Sequence, residues 1–249
     1  MDDPKYVKRN YFNSISPGSY SALSGFLRNK KYQSKKFIED TLASLQTYTL
    51  HKPIRKKFPR RKVVVAFMNL LYTADLIDYR RHSRVNQGYR YILVIVDAFS
   101  KFLWSIKLKR KNANELKAAF ELFFKSSKRR PKYLWVDAGT EFFNSQVKAV
   151  LEKHKITLYH THSKLKASIA EAFVKKVKVK LARVFTHTKK FTWITFLENV
   201  TSNINNSYNS SIKMPASEVT KENESQVWYN LYGSLLTAKA IKPVYKPND

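Results

Sequence analysis

A few carboxylates stand where charge is costly, and they are the residues in this chain best placed to do chemistry. Asp75, Asp78, Asp97 and Asp137 each lie in or at the end of an apolar, β-branched stretch. An acid leaving such a stretch is costly unless it is paired, hydrogen-bonded or bound to a metal. Two acids at neighbouring strand ends could hold a hard cation through oxygen ligands. A third from a helix would complete a two-metal site for phosphoryl transfer. Glu171 is the natural third member. In its segment Ile169, Phe173 and Val177 form one stripe of a helix, while Glu171, Lys175 and Lys178 fall on another at i, i+4 and i+7. That face would set metal and phosphate ligands side by side. The same spacing also describes an ordinary solvated Glu–Lys pair, which contributes only about a few tenths of a kcal/mol. The remaining acids of the middle of the chain have simpler readings. Glu115, Glu121, Glu152 and Glu198 sit on polar faces of amphipathic helices, and Glu141 reads as a first-turn acid that complements a helix dipole.

The elements that would position these residues can be read from the periodicity. VVVAF followed by LLYTADLID suggests a first strand. A turn at Asn86-Gln87-Gly88 leads to YRYILVIVDAFS, a second strand apolar enough to be buried, and FLWSIKL is a third. NELKAAFELFFKSS follows as a helix with a stripe of Leu116, Ala119, Phe120, Phe123 and Phe124. YLWVDAG then reads as a strand ending in Asp137, EFFNSQVKAVLEKH as a helix and ITLYHTH as a fifth strand. LKASIAEAFVKKVKVKLARVFTH and FTWITFLENVTSNINNSY are further helices. Three consecutive strands, then helix and strand in alternation, is a mixed α/β order. It fits a ribonuclease-H-like fold, with a five-stranded mixed sheet flanked by helices.

Before this core the chain is polar and basic. Ser16-Pro17-Gly18-Ser19 is a turn, SALSGFLRNK a short helix, and Ser34 caps a second helix with Phe37, Ile38, Leu42 and Leu45 on one side. Two short helices in a basic segment fit either a helix-turn-helix-like DNA-binding module or a helical arm packed on the core. The expected division is a helical module over 1–50, a linker over 51–62, the core over 63–215 and an extension over 216–249. The linker, from Lys52 to Lys62, holds seven cations and two prolines in eleven residues. Arg55, Lys56, Lys57, Arg60, Arg61 and Lys62 suit a segment lying along phosphates, or a nuclear localisation signal.

Whole-chain charge agrees. The 249 residues carry 47 Lys+Arg against 18 Asp+Glu, a formal net charge of +29. Such self-repulsion calls for a polyanionic partner, nucleic acid foremost. A hydrophobic fraction of 43% with 16 Phe, 15 Tyr and 4 Trp excludes a wholly disordered basic tail. No apolar run approaches a membrane span, and MDDPKYVKRN is not a signal peptide. With no cysteine there is no thiolate zinc site, no disulfide framework and no cysteine nucleophile. His160 and His162 are the one close histidine pair, read as structural or surface.

These pieces, in this order, resemble the integrases of Maverick/Polinton-type DNA transposons, relatives of retroviral integrases and DDE transposases. The likeness runs over about residues 14–228. It is carried by PGSYSALSGFLR, LQTYTLHKPIRKKFPR, TADLID, YRYILVIVDAFSKFLW, DAGTEF, KASIAEAF, YNSSIKMPASEV and ENESQVW. The resemblance implies a metal-binding triad of Asp75, Asp137 and Glu171, the last two separated by 33 residues. It also implies phosphate contacts from Lys175 and Lys178, and structural roles for Asp97 and Asp78. The implied activity is processing of the 3′ ends of transposon DNA and their transfer into a target duplex. Two Mg²⁺ or Mn²⁺ ions would serve it, in a homo-multimer acting in the nucleus, without zinc or membrane. Where relatives usually follow the glutamate with Arg, an aromatic and Asn, this chain has Ala172, Phe173 and Val174. Val136 stands where a small polar residue is common, and Tyr72-Thr73 replaces the usual Trp-Gln. Two alternatives therefore stand beside the integrase reading: a catalytically silent, domesticated DNA-binding protein, and a nuclease of the same fold that only hydrolyses.

Overall fold

The computed structural model describes residues 3–28, 34–51, 63–137, 139–160 and 168–236. The basic run 52–62 lies outside the described residues, as does His162.

Four helices precede the sheet: α1 (Pro4–Phe12), α2 (Leu23–Arg28), α3 (Lys35–Ala43) and α4 (Gln46–Thr49). The α1 helix was not expected from its polar composition. Asp3 caps it by accepting from the Lys5 amide at 2.9 Å, and it buries Val7 and Tyr11. Ser34 caps α3 as its sequence indicates, accepting from the Phe37 amide at 3.2 Å. These helices gather Val7, Tyr11, Tyr20, Phe26, Ile38, Leu42 and Tyr48 into one cluster, closed by Val184 of the core. The segment packs on the core through this cluster.

The sheet comprises β1 (Leu71–Asp78), β2 (Tyr91–Asp97) and β3 (Leu103–Leu108). After α5 (Ala113–Ser127) comes β4 (Tyr133–Val136), and after α6 (Ser145–Lys153) comes β5 (Thr157–Tyr159). The strand order is β3-β2-β1-β4-β5. The first three strands form an antiparallel meander, and β4 and β5 run parallel to β1 through helical crossovers. This is the ribonuclease-H-like arrangement expected. The chain continues through α7 (Ser168–Thr188), α8 (Leu197–Asn206), the small pair β6 (Tyr208–Asn209) and β7 (Met214–Pro215), and α9 (Glu224–Leu236).

Strand alternation decides which residues meet which helices. Tyr72, Ala74, Leu93, Ile95 and Val136 pack under the stripe Leu116–Phe124 of α5 and under Val147, Val150 and Leu151 of α6. The opposite parity, with Ile77, Ile92, Val94 and Val96, packs under Phe173, Val177 and Leu181 of α7 and Val200 of α8. The β2 strand is apolar on both faces because both are covered.

Two expected elements differ. VVVAF is not a strand: β1 begins only at Leu71, and it already has β2 and β4 as neighbours on its two sides. The Val63–Val65 backbone is held instead by the Tyr232 phenol of α9, which donates to the Val63 carbonyl at 3.2 Å and accepts from the Val65 amide at 3.0 Å. The helix expected from Glu141 begins only at Ser145. Asn144 is its N-cap, accepting from the Val147 amide at 2.9 Å, and this leaves Glu141 in the preceding turn.

Candidate metal and DNA site

Asp75 has the strand parity of Thr73 and Ile77, so its carboxylate faces the α7 side of the sheet. The last parallel pair of β1 and β4 is Ala74 with Val136, which makes Asp75, in the middle of β1, and Asp137, just past the end of β4, the next two positions along adjacent strands. Asp137 shares the parity of Trp135, whose ring packs in a cluster with Ala170 at the start of α7. Glu171 is exposed in the first turn of α7, at the positive end of the helix dipole.

The electrostatics tie these positions together. Burial raises Asp75 above the usual aspartate range, and the neighbouring charges of Asp137 and Glu171 raise it further. The Leu76 amide, donating to its Oδ1 at 2.7 Å, and the Lys178 ammonium oppose that rise. Like charges that hinder the ionisation of Asp75 are what a divalent cation relieves. By donor chemistry the set therefore fits Mg²⁺ or Mn²⁺, since it offers hard carboxylate oxygens alone. Among the described residues no three His, Asp or Glu side chains converge closely enough to hold a metal ion. Lys175 and Lys178 are both exposed along α7. Arg55, Lys56, Lys57, Arg60, Arg61 and Lys62 lie outside the described residues.

Asp97 and Asp78 stand apart from this set. Asp97 is fully buried and accepts from Ser100 Oγ at 2.7 Å, from the Phe99 amide at 3.0 Å and from the Asn69 amide at 3.4 Å. Burial raises its pKa against these bonds. Its lone pairs are used to hold the turn after β2 and the entry to β1. Lys101, in the same turn, is pushed down to about 8 by burial, against the pull of Asp97. Asp78 is exposed and paired with Arg80 at 2.8 Å. Slight burial works to raise it, but the bonds from Arg80 prevail and hold it below the usual range.

Glu141 does not complement a helix dipole. It pairs with Lys111 at 2.7 Å and so ties the turn after Asp137 to the loop after β3. A Cβ on Gly139 would lie 2.6 Å from its carboxylate, so the glycine makes room for the acid. The G-x-E spacing in DAGTEF was the available signal. His160 packs edge-on against Phe143 at 4.8 Å.

The residues that sequence reasoning missed are polar clasps. Lys180 of α7 donates to the Ser19 carbonyl, to Asn203 Oδ1 at 2.6 Å and to Ser21 Oγ at 3.4 Å. Arg183 donates to the Tyr20 carbonyl. Together they fasten the SPGSY turn to the core. Asn86 is a second clasp: Nδ2 donates to the carbonyls of His82 at 2.6 Å and Phe191 at 2.9 Å. Its Oδ1 accepts from the amides of Trp193 at 2.7 Å and Ile194 at 3.2 Å. Only its turn-forming neighbourhood was visible in the sequence.

Comparison with known proteins follows this geometry. Residues 57–164 match the integrase core domain family. Asp75 and Asp137 fall inside that match and Glu171 just beyond it. A transposon-derived protein of Caenorhabditis elegans, F54H12.3, is 33% identical over 132 residues, 53% of this chain. The matched region spans 46% of that relative's length. Among solved structures, a chain of the simian T-cell lymphotropic virus intasome in complex with PP2A regulatory subunit B56 gamma is similar over 99% of this chain and 78% of its own. Its TM-score is 0.59 at 13% identity. The HTLV-2 integrase catalytic core domain in complex with magnesium, in a trimeric form, matches 61% of this chain and 97% of its own length. Its TM-score is 0.52 at 15% identity. No helix among the described residues is long and apolar enough to cross a membrane. Sequence and fold thus agree on an integrase-like core, matched in sequence over residues 57–164 and built on the fold of the retroviral integrase catalytic core.

Proposed function

We propose that this chain is a DNA integrase or transposase of the Maverick/Polinton type, processing the 3′ ends of transposon DNA and transferring them into a target duplex. The observation that supports the reading is that Asp75, on the central strand of the sheet, is raised beyond the effect of burial by the charges of both Asp137 and Glu171. Asp75, Asp137 and Glu171 would hold two Mg²⁺ or Mn²⁺ ions. When bound, such ions supply positive charge to the scissile phosphate and make water, or a 3′-hydroxyl, a competent nucleophile. The protein's own part is positional. Two adjacent strands fix the aspartates, and the first turn of α7 offers the glutamate. Lys175 and Lys178, one and two turns later, meet the phosphates of the same DNA end. Lys178 also offsets part of the acid repulsion around Asp75. Held together in a homo-multimer, such sites would act on two DNA ends, and a DNA substrate of this kind places the work in the nucleus.

The test is a joining assay with labelled duplexes cut from the element's termini, in Mg²⁺ and in Mn²⁺. Strand-transfer products support the integrase. Nicks without joining would make the chain a nuclease, and binding with neither would make it a silent DNA-binding copy. The silent reading is favoured by one observation, that the three acids do not converge on a single point among the described residues.

A further inference from the structure

The basic surface formed by the loop after β1 and the segment after α7 belongs to neither the carboxylate site nor the linker. Arg81 and Arg84 in the first, and Lys189 and Lys190 in the second, are all exposed. Asn86, itself fully buried, fastens the two segments together through three hydrogen bonds, to the Phe191 carbonyl and from the Trp193 and Ile194 amides. Stacking reinforces the join: the His82 ring lies on Phe191 at 4.5 Å and 9°, with Phe185 of α7 edge-on to Phe191 at 5.5 Å. The sequence has no acid between Asp78 and Asp97 and none between Glu171 and Glu198. Among the described residues the one ion pair at this surface is Arg80 with Asp78. A buried polar clasp therefore joins two segments that carry exposed cations and no acid of their own beyond Asp78, and the repulsion between them is relieved when an anion is bound.

The direction of α7 says which anion. Glu171, Lys175, Lys178, Ala182 and Phe185 follow one another at i, i+4, i+7, i+11 and i+14, a single stripe of the helix. It begins at the carboxylates and ends at Phe185, against Tyr79, His82 and Phe191. At 1.5 Å per residue the stripe is about 21 Å long, or roughly six base pairs at 3.4 Å each. We infer that Arg81, Arg84, Lys189 and Lys190 form a second phosphate-binding surface, which takes the backbone of duplex DNA about half a helical turn away from the carboxylate site. This rests on the reading of the chain as a DNA-end enzyme for the identity of the polyanion, but not on any chemistry at the carboxylates. A second copy of this chain fits poorly, since its own charge is +29.

The experiment is binding of a fluorescent 30-base-pair duplex by the full chain in EDTA, over a series of salt concentrations. The variant carries Arg81→Gln, Arg84→Gln, Lys189→Gln and Lys190→Gln. The control carries Lys117→Gln, Lys125→Gln, Lys148→Gln and Lys153→Gln, on exposed positions of α5 and α6 across the sheet. With about 0.9 counterion released per phosphate contact, the variant's log–log salt slope should shrink by roughly three to four and the control's by less than one. Equal slopes in variant and control would overturn the proposal, as would a larger dependence on the four cations with an RNA duplex than with DNA. If the unmodified chain joins DNA ends but the variant keeps the full slope, this surface fails and the integrase reading stands. If joining is absent but the slope still shrinks, the surface stands and the integrase reading fails.

Discussion

Glu171 and Asp97 show how the setting of an acid decides its work. Glu171 is exposed in the first turn of its helix, outside the buried core. Glu171→Gln should therefore leave stability within about 0.5 kcal/mol and DNA binding intact. It should lower cleavage and joining together, by roughly 10²-fold or more, as expected when a group that supports transition-state charge is removed. Near wild-type joining by this variant would remove Glu171 from the site. Lys178→Ala belongs to a different class. It should raise the DNA concentration needed for half-saturation while residual chemistry persists at saturation. Asp97 should behave as structure only. Asp97→Ala leaves the Phe99 amide and the Ser100 hydroxyl buried without their acceptor, at a cost of roughly 2–4 kcal/mol in denaturant unfolding. Asp97→Asn retains an acceptor and should cost clearly less.

At the scale of the element, α7 does three jobs along its length. Its first turn presents Glu171, its apolar stripe of Phe173, Val177 and Leu181 packs on the sheet, and its last turns fasten the N-terminal helices. Lys180 is the fastening that should be visible in solution. Burial pushes its pKa down to about 7, with Arg183 and Lys176 adding in the same direction. A lysine whose folded pKa lies below its unfolded value binds fewer protons when folded. Stability should therefore rise as pH climbs from below 7 towards 10. Thermal unfolding between pH 6 and 9 should show this slope, and Lys180→Met should reduce it, leaving the part above about pH 8 to which Lys101 contributes. The same variant should lower stability at high pH, where the Ser19 carbonyl and Asn203 Oδ1 lose their donor, and cost less at pH 6, where it also removes a buried charge. An undiminished slope in Lys180→Met would assign the titration to another group.

For the molecule as a whole, charge sets the behaviour. With a formal net charge of +29, affinity for duplex DNA should fall steeply with salt by counterion release. Neutralising Arg55, Lys56, Lys57, Arg60, Arg61 and Lys62 together should flatten the log–log slope by roughly five, if each meets a phosphate, with no loss of folding. An unchanged slope would take this run off the phosphates. Comparing that variant with the one lacking Arg81, Arg84, Lys189 and Lys190 separates two routes to the same polyanion, and additive losses of slope would make the routes independent.

The sequence by itself determined what depends on local pattern. The apolar runs of β2 and β3, the α5 stripe and the Ser34 cap are written in neighbouring side chains, so the order of elements and the mixed sheet were legible. So were the aspartates on strands and the glutamate on a helix, because an acid in an apolar setting demands an explanation at any level. Only the tertiary structure decided matters that rest on partners distant in the chain. VVVAF has strand-like composition but finds no place in the sheet, and its backbone is taken by Tyr232, more than 150 residues on. Glu141 looks like a helix acid until Lys111 claims it across the fold. Lys180, Arg183 and Asn86 look like surface polars, yet their hydrogen bonds reach segments roughly 20 to 160 positions away. No local periodicity encodes such contacts. They exist because a buried polar atom must be satisfied by whatever the folded chain brings within reach.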